Sequence, residues 1–305
     1  MNDKIYQRFC DCIGTQNVLL DEPMKRHTTF RIGGPAKYLL QPCTVVEVVS
    51  LLQICKEEGV RFSIIGNGSN LLVSDKGVSG AVIQIYKNMS RIIVEGNSIK
   101  AEAGALLGKL AAAAANDALS GLEFAAGIPG TVGGAVVMNA GAYGGEIKDV
   151  ITQVTVVSQT GEIITLAQNE LEMGYRTSII KKKQYIVLET VFTLQNDNIE
   201  AIQAKMDELK EKRVSKQPLE YASAGSTFKR PKGHFAGKLI MDAGLRGYAV
   251  GDAQVSEKHC GFVINKGEAS AADVIGLIKE VKGKVKDKFG IELEPEVQFL
   301  GDFEE

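Results

Sequence analysis

The chain has 305 residues, of which 45% are hydrophobic and 24% charged, and its 35 basic and 37 acidic side chains give a formal net charge of −2. These proportions are typical of a globular protein and exclude a disordered or fibrous chain. The charge provides no positive field to hold a nucleic acid, so we expect no such partner. No segment approaches the roughly 20 apolar residues that span a bilayer, and the N-terminus lacks a signal-peptide pattern, so we expect a cytoplasmic protein without a membrane partner.

The cysteines and histidines limit the chemistry. The five cysteines form an odd, scattered set without metal-ligand spacing, which predicts reduced thiols. Only three histidines exist, so a multi-histidine zinc or iron centre is excluded and we expect no metal. Redox chemistry in this chain would therefore need an organic cofactor.

The first part of the chain predicts a mixed α+β module. A strand at 36–41 leads to a helix, which Thr44 and Glu47 open as a capping box and Gly59 ends. A strand at 61–65 closes this strand-helix-strand unit. Three short strands follow, with a tight Gly-Asn turn between the last two: 81–86, 91–96 and 98–104.

The remaining elements suggest a further domain after residue 200. An Ala-rich helix is predicted at 105–118, a hairpin at 150–166 and a strand at 185–194. A charged amphipathic helix at 198–218, ended by Pro218, is a plausible connector. Beyond it we predict a small α/β domain with these elements: a helix at 235–243, a strand at 260–265, a helix opened by Ser270 with Asp273, and a strand at 295–301.

The strongest local signal is a glycine-dense segment at 127–145, which has seven glycines in nineteen residues. Glycine permits positive φ and lets backbone N–H groups approach a ligand, as the binding of a pyrophosphate requires. A flexible linker is the alternative. Interleaved apolar residues such as Ile128, Val132 and Met138 disfavour it, because a solvated linker would not need them.

A second loop, GNGSNLLV at 66–73, follows the predicted strand at 61–65. It departs from the dinucleotide fingerprint G-x-G-x-x-G because position 71 is leucine and no clear helix follows, so a Rossmann NAD domain is disfavoured. A plain β-turn is the alternative for this loop alone. Two such loops in one chain favour a dinucleotide cofactor.

Six ordered motifs resemble those of the UDP-N-acetylenolpyruvoylglucosamine reductase (MurB) family, and together they cover nearly the whole chain. They are TTFRIGGPA (28–36), GNGSNLLV (66–73), GIPGTVGGAVVMNAGAYG (127–144), GYRTS (174–178), SAGSTFKRP (223–231) and EPEVQFLG (294–301). The FKRP form, with Arg230 where one branch has asparagine, resembles the second subtype (type II) of the family.

The resemblance implies an α+β fold. A two-part FAD-binding region of the PCMH, vanillyl-alcohol-oxidase-like type would occupy 1–80 and 81–200, followed by a C-terminal α/β substrate-binding domain at 201–305. It also implies noncovalent FAD without a link to His27, NADPH as hydride donor, and a small UDP-sugar as substrate. The reaction would reduce an enolpyruvyl ether to give UDP-N-acetylmuramate for peptidoglycan synthesis. The oligomeric state is not set by the sequence, and a monomer is the expectation.

Three residues match the family's catalytic set: Arg176, Ser226 and Glu296. A guanidinium can stabilise the enolate-like charge that hydride addition leaves beside the carboxylate, and a positioned serine can protonate so strong a base. Glu296 could orient groups, relay a proton or donate a hydrogen bond. Taken alone, these side chains would more often be a surface ion-pair partner, a turn residue and a solvated charge.

The resemblance also implies binding residues. Those for the cofactor are Arg31, Gly66, Asn67, Gly68, Ser69, Asn70, Gly127, Pro129, Gly130, Thr131, Gly133, Gly134, Asn139, Gly141 and Ala142. Those for the substrate are Tyr175, Lys216, Lys229, Arg230, His259 and Asn265, where Tyr175 could equally be core and His259 structural.

Two other functions have to be weighed. An FAD oxidase of a small alcohol or sugar would share the glycine loops but lack the C-terminal serine and glutamate motifs. A non-catalytic nucleotide-binding protein could use the same loops without turnover. Consumption of NADPH that depends on the enolpyruvyl substrate would separate these alternatives.

Overall fold

The computed structural model describes residues 4–303, which divide into two compact units. Each unit is assembled from separated stretches of chain. The first contains the described residues up to 19 together with 38–67 and 81–213, and the second contains 20–37, 68–80 and the described residues from 214 onward. The first 80 residues contribute to both units, and the three domain ranges expected from the sequence stay a prediction.

The helices agree largely with the expected ones. They are α1 (Lys4–Ile13), α2 (Val45–Glu57), α3 (Leu107–Asn116), α4 (Val132–Met138), α5 (Ile179–Lys183), α6 (Ile199–Lys216), α7 (Ala236–Asp242) and α8 (Ala271–Phe289). Three of them, α1, α4 and α5, have no counterpart among the sequence predictions. Within residues 4–303, no helix is both long enough and apolar enough to cross a membrane.

Short strands make up the rest of the regular structure. They are β1 (Val18–Pro23), β2 (Pro35–Leu40), β3 (Phe62–Ile65), β4 (Leu71–Val73), β5 (Val78–Gln84), β6 (Ile92–Glu95), β7 (Ser98–Glu102), β8 (Leu119–Ser120), β9 (Gly141–Ala142), β10 (Gly145–Glu146), β11 (Ile151–Val157), β12 (Ile163–Ala167), β13 (Ile186–Thr193), β14 (Gln195–Asn196), β15 (Ala222–Ser226), β16 (Ala249–Val250), β17 (Ala253–Val255), β18 (Phe262–Asn265) and β19 (Gln298–Leu300).

The predicted strand-helix-strand unit is present as β2, α2 and β3. The Thr44 hydroxyl accepts the Glu47 N–H at 3.2 Å and caps the first turn of α2. The Glu47 carboxylate accepts the Cys43 N–H at 2.5 Å, so only one of the two bonds of the predicted capping box forms. β3 then pairs in parallel with β5, Phe62 opposite Ala81. A parallel pair needs a crossover between its strands, and here the chain returns through β4.

The core of the first unit lies around an antiparallel sheet with the strand order β12-β11-β13-β7-β6. Val154 and Val156 of β11 and Phe192 of β13 are fully buried. The glycine-dense segment contributes α4, whose Val132 and Val136 are also fully buried. Glycine lowers helix propensity, so this helix depends on tertiary packing, and the local sequence pattern does not predict it.

The second unit has an antiparallel sheet in the order β15-β18-β17-β16. Helix α8 begins with the predicted capping box, in which the Asp273 N–H donates to the Ser270 hydroxyl at 3.0 Å and the Ser270 N–H to the Asp273 carboxylate at 2.9 Å. Its buried residues recur at helical spacing: Val274, Leu277, Ile278, Val281 and Val285. A further parallel pair, β19 with β4, aligns Gln298 with Leu71.

Candidate active site

Within the first unit, the start of the first glycine loop, Gly66 and Asn67, contacts the second loop. The Asn67 side-chain amide donates to the Pro129 carbonyl at 2.8 Å. Gly66 lies so close to Thr131 that a Cβ at position 66 would be 2.3 Å from the Thr131 hydroxyl oxygen. These contacts require glycine at 66, and they join segments more than 60 residues apart in the chain.

The backbone of the first loop is suited to an anion. Among residues 4–303, no protein acceptor is hydrogen-bonded to the N–H groups of Asn67, Gly68 and Ser69. Gly68 has φ +67°, and a Cβ there would be 2.1 Å from the His27 carbonyl oxygen. Successive unpaired N–H groups around a left-handed glycine bind phosphate oxygens. This stretch of backbone therefore has the donors that bind a phosphate group.

The second loop makes a different contribution. The N–H groups of Val132 and Gly133 donate to the carbonyls of Ala105 and Ala103, each at 2.8 Å, and Thr131 caps α4 by accepting the Gly134 N–H at 3.4 Å. These N–H groups are therefore hydrogen-bonded within the protein and stabilise the conformation of the segment. Gly134 borders open space, because an added Cβ there would meet only the Thr131 hydroxyl at 3.6 Å.

Arg213 lies against both ends of the glycine-dense segment. It extends from α6 and donates to the Gly127 carbonyl. Burial lowers the pKa of the Arg213 guanidinium, and the Tyr143 phenol opposes that shift. Tyr143 itself has φ +54° and forms with Gly144 the two-residue turn of the β9-β10 hairpin. Arg213 was not among the expected site residues, because its helix was predicted to be a connector.

Arg176 lies at the tip of a tight turn in the first unit. Gly174 and Thr177 exchange backbone hydrogen bonds of 3.0 and 3.3 Å, which leaves Tyr175 and Arg176 as the two central residues. Arg176 has φ +55°, a left-handed conformation that an arginine rarely adopts. The guanidinium carbon is 5.2 Å from the centre of the Tyr175 ring, and Tyr175 is 52% exposed, which excludes the core alternative for it.

Ser226 owes its position to a β-bulge in the second unit. Ser223 is opposite Ile264 and Ser226 is opposite Phe262, so two residues of β15 face one residue of β18. One of the two is Gly225, with φ +76°. Because side chains alternate along a strand, the extra residue turns Ser226 to the other face of the sheet. Its hydroxyl makes no hydrogen bond to the described protein atoms.

Glu296 is brought beside this serine by backbone pairing. Its N–H donates to the Thr227 carbonyl at 2.8 Å, and Lys229 donates through its N–H to the Glu294 carbonyl at 2.9 Å. The Thr227 hydroxyl accepts the Val263 N–H at 2.9 Å, which fixes the residue next to Ser226. The Asn70 amide donates to the Glu296 carbonyl at 3.2 Å. The backbone of Glu296 is therefore paired with Thr227, the residue that follows Ser226.

The cations expected to bind substrate differ in their surroundings. Lys229 forms an ion pair of 2.9 Å with Glu294, and the Arg230 guanidinium is 4.5 Å from the centre of the Phe235 ring. Lys216 is exposed at the end of α6. Arg31, expected near the cofactor, is exposed and has φ +56°.

His259 and Asn265 are largely engaged by the protein itself. The Gly261 N–H donates to Nδ1 of His259 at 3.1 Å, and burial lowers the pKa of this imidazole, so both effects favour the neutral ring. The Asn265 amide donates to the Phe30 carbonyl at 3.3 Å, and its oxygen accepts the N–H groups of Gly267 and Ala269 at 3.0 Å each. Both residues have a structural role in this fold.

Asn139 is buried, although the sequence suggested contact with the cofactor. Its amide donates to the Glu146 carboxylate at 2.9 Å and to the Gly174 carbonyl at 3.1 Å, and its oxygen accepts the Lys148 N–H at 3.0 Å. Glu146 was not among the expected site residues. Its carboxylate pKa is lowered, chiefly by the hydrogen bond from Lys148 and in smaller part by the charge of Arg176.

Comparison with known proteins gives first the class of the chain. A family model described as FAD binding domain matches residues 36–167, and one described as UDP-N-acetylenolpyruvoylglucosamine reductase, C-terminal domain, matches residues 217–300. With the loop geometry above, these matches define an FAD-dependent oxidoreductase with an α+β fold.

Individual relatives then specify the family. The UDP-N-acetylenolpyruvoylglucosamine reductase of Agathobacter rectalis is 55% identical, over 99% of this chain and 100% of its own length. That of Lachnoclostridium phytofermentans is 52% identical, over 99% of each chain. The crystal structure of the Thermus caldophilus reductase (MurB) has a TM-score of 0.80 at 36% identity, over 92% of this chain and 99% of the other. The chain belongs to the UDP-N-acetylenolpyruvoylglucosamine reductase family, which confirms the resemblance inferred from the six motifs.

Proposed function

We propose that this chain uses NADPH and FAD to reduce UDP-N-acetylenolpyruvoylglucosamine to UDP-N-acetylmuramate, a step of peptidoglycan synthesis. Family membership supports the activity. The observation that supports its assignment to residues is the backbone hydrogen bond from Glu296 to Thr227, the residue that follows Ser226 at a bulge of the second unit. FAD, when bound, supplies the hydride chemistry, and the first glycine loop with Asn67 would hold its diphosphate.

Arg176 would act on the anionic end of the substrate. Adding hydride to the vinyl carbon leaves negative charge beside the carboxylate, and a guanidinium presents paired N–H donors to such oxygens. The tight turn between Gly174 and Thr177 limits the motion of this side chain at its backbone. A residue held in a left-handed conformation without being glycine is a frequent mark of a functional site.

Ser226 would supply the proton that completes the reduction. A serine hydroxyl is a weak acid in water, but it can protonate a carbanion that is a far stronger base. Its hydroxyl has no hydrogen bond to the described protein atoms, so it is available to a substrate. Glu296, the adjacent carboxyl group, would orient the serine or relay its proton.

The test separates the two half-reactions of a Ser226→Ala enzyme. Flavin reduction by NADPH should survive, because the serine is needed only after hydride transfer to the substrate. Reoxidation by UDP-N-acetylenolpyruvoylglucosamine should slow by the roughly 10²–10⁴-fold attributed to general acid catalysis. Stopped-flow absorbance follows each step. Ser223→Ala, three residues earlier on β15, is the matched control. Reoxidation of Ser226→Ala at the wild-type rate would remove this serine from the mechanism.

The cofactor assignment has its own test. The purified protein should show the absorption spectrum of bound oxidised flavin, which NADPH bleaches and NADH bleaches more slowly. Acid denaturation should release the flavin, since we propose noncovalent binding without a link to His27. A colourless protein that takes up no FAD would contradict the proposed function, whatever the state of its substrate site.

We also propose that the enzyme works as a monomer in the cytoplasm. All five cysteines are unpaired thiols, as suits a reducing compartment, and two of them, Cys10 and Cys55, are buried in the core of the first unit. Sedimentation analysis of the holoenzyme at several concentrations tests the first part of this proposal. Cell fractionation followed by immunodetection tests the second.

A further inference from the structure

We propose that Asn139 is a positioning residue, which holds the turn carrying Arg176 through its side-chain amide and does not act as a contact for FAD. The inference rests on the proposed role of Arg176. It gives a residue of the glycine-dense segment a role in the half-reaction with substrate.

Burial and hydrogen bonding carry this inference. Asn139 is 1% exposed, and its side chain makes three hydrogen bonds within the first unit. One of them, 3.1 Å long, goes to the carbonyl of Gly174, the residue that begins the turn. With both N–H donors used and one acceptor bond made, little capacity remains for a ligand.

The geometry requires an amide. The Gly174 carbonyl and the Glu146 carboxylate are both acceptors, so the group between them must donate twice, while the Lys148 N–H requires an acceptor. Among side chains of this size, only asparagine meets all three demands. Its backbone is suited as well, because Asn139 ends α4 at φ +43°, a left-handed conformation that asparagine tolerates better than most residues.

The turn is attached to α4 on both sides. On its C-terminal side the buried Ser178 hydroxyl donates to the Val137 carbonyl at 2.8 Å. On its N-terminal side the Asn139 bond to Gly174 is the corresponding attachment. Loss of the second attachment would let Gly174 move while Ser178 stays in place. Arg176 lies between these two points, so its guanidinium would lose its fixed direction.

Electrostatics couple the same residues. The Asn139 amide orients the Glu146 carboxylate, which also forms an ion pair of 2.7 Å with Lys148. The charge of Arg176 contributes to the lowered pKa of Glu146. Asn139 therefore orients both the backbone beneath Arg176 and a carboxylate that interacts with its charge.

The experiment compares Asn139→Gly with Gln184→Gly. Gln184 also ends a short helix, α5, in a left-handed conformation, at φ +53°, and it is exposed. Both substitutions relieve the strain of a left-handed backbone conformation, but only Asn139→Gly removes the hydrogen bond to the turn. Amide hydrogen exchange of the holoenzyme, followed over residues 171–178, should accelerate at least tenfold in Asn139→Gly and stay at the wild-type rate in Gln184→Gly.

The reaction gives a second measurement. In Asn139→Gly we expect unchanged FAD occupancy and unchanged flavin reduction by NADPH, with reoxidation by substrate slowed about 10- to 100-fold, because displacement of a reacting group by about 1 Å has costs of that order. Asn139→Asp, which preserves size and left-handed tolerance but lacks both donors, should slow the same step. It keeps the test decisive if the glycine variant folds poorly.

Two results would overturn the inference. If Asn139→Gly loses FAD while amide hydrogen exchange over residues 171–178 is unchanged, Asn139 is a cofactor contact. If both amide exchange and reoxidation stay at wild-type rates, Asn139 does not have the proposed role. The proposed function fails separately, if the wild-type holoenzyme is not reoxidised by UDP-N-acetylenolpyruvoylglucosamine. The exchange comparison would decide the inference about the turn even then.

Discussion

The bulge before Ser226 can be tested by replacing Gly225 with alanine. Gly225 has φ +76°, and a Cβ built there would meet no atom within 4 Å. The substitution therefore adds backbone strain without a steric clash. To relieve that strain, the chain must shift at the position that sets which way the serine points. Gly244 is the matched site in the same unit, with φ +80° and equally open space.

We expect the two variants to lose equal free energy of unfolding but to differ in the rate of reoxidation by substrate. A left-handed conformation costs a non-glycine residue about 1–2 kcal/mol, and the stiffer unfolded chain returns about 0.4–1 kcal/mol, which leaves a net loss of about 1 kcal/mol. A displacement of the Ser226 oxygen by about 1 Å would slow protonation by up to about 10²-fold. Only Gly225→Ala should show this second effect.

Urea unfolding and stopped-flow reoxidation measure the two effects separately. Both variants should lose the same stability and keep FAD, whereas reoxidation by substrate should slow in Gly225→Ala alone. If Gly225→Ala is destabilised as expected yet reoxidised at the wild-type rate, the bulge does not orient the serine. Equal slowing in both variants would attribute the effect to general destabilisation of the second unit.

Three further predictions follow from single contacts. Burial lowers the pKa of His259 below its usual 6.5, so folding favours the neutral ring. The free energy of unfolding should therefore be highest above pH 6.5 and fall as the pH drops below it. In thermal unfolding, His259→Gln should flatten that dependence on pH. Arg213→Met should weaken FAD binding about 10- to 100-fold in equilibrium titration, because charged hydrogen bonds contribute about 1.5–3 kcal/mol, whereas Lys212→Met, in an exposed ion pair, should not. Gly68→Ala should deplete bound flavin, measured by absorbance ratio, through contact with the His27 carbonyl, whereas Gly96→Ala, at φ +61° in open space, should retain it.

Much of the fold could be predicted because its signals are local. The N-cap at Thr44 and the capping box at Ser270 each join residues three positions apart, and both helices begin where the sequence predicts. The Gly96 turn likewise separates two strands of alternating burial. Such elements follow from backbone preferences over a few residues, which a single sequence displays directly.

Other features could not be predicted from local pattern. Helix α4 is short and rich in glycine, and it forms because Val132 and Val136 are buried in the core of the first unit. The compact units were likewise hidden, because 20–37 and 68–80 join the C-terminal part of the chain through contacts between distant segments.

For the site, the sequence alone determined which residue types occur and in what order: two glycine loops, an arginine, a serine and a glutamate in motifs that indicate the family. The contacts of each residue depend on how distant segments pack together. Asn139 meets Gly174 across 35 residues, Arg213 meets Gly127 across 86, and Asn70 meets Glu296 across 226. Hydrogen bonds of this kind depend on how strands and helices pack, and no local periodicity encodes such partners. The motif thus suggests a cofactor role for Asn139, whereas the fold brings its amide to the Gly174 carbonyl, at the start of the turn of Arg176.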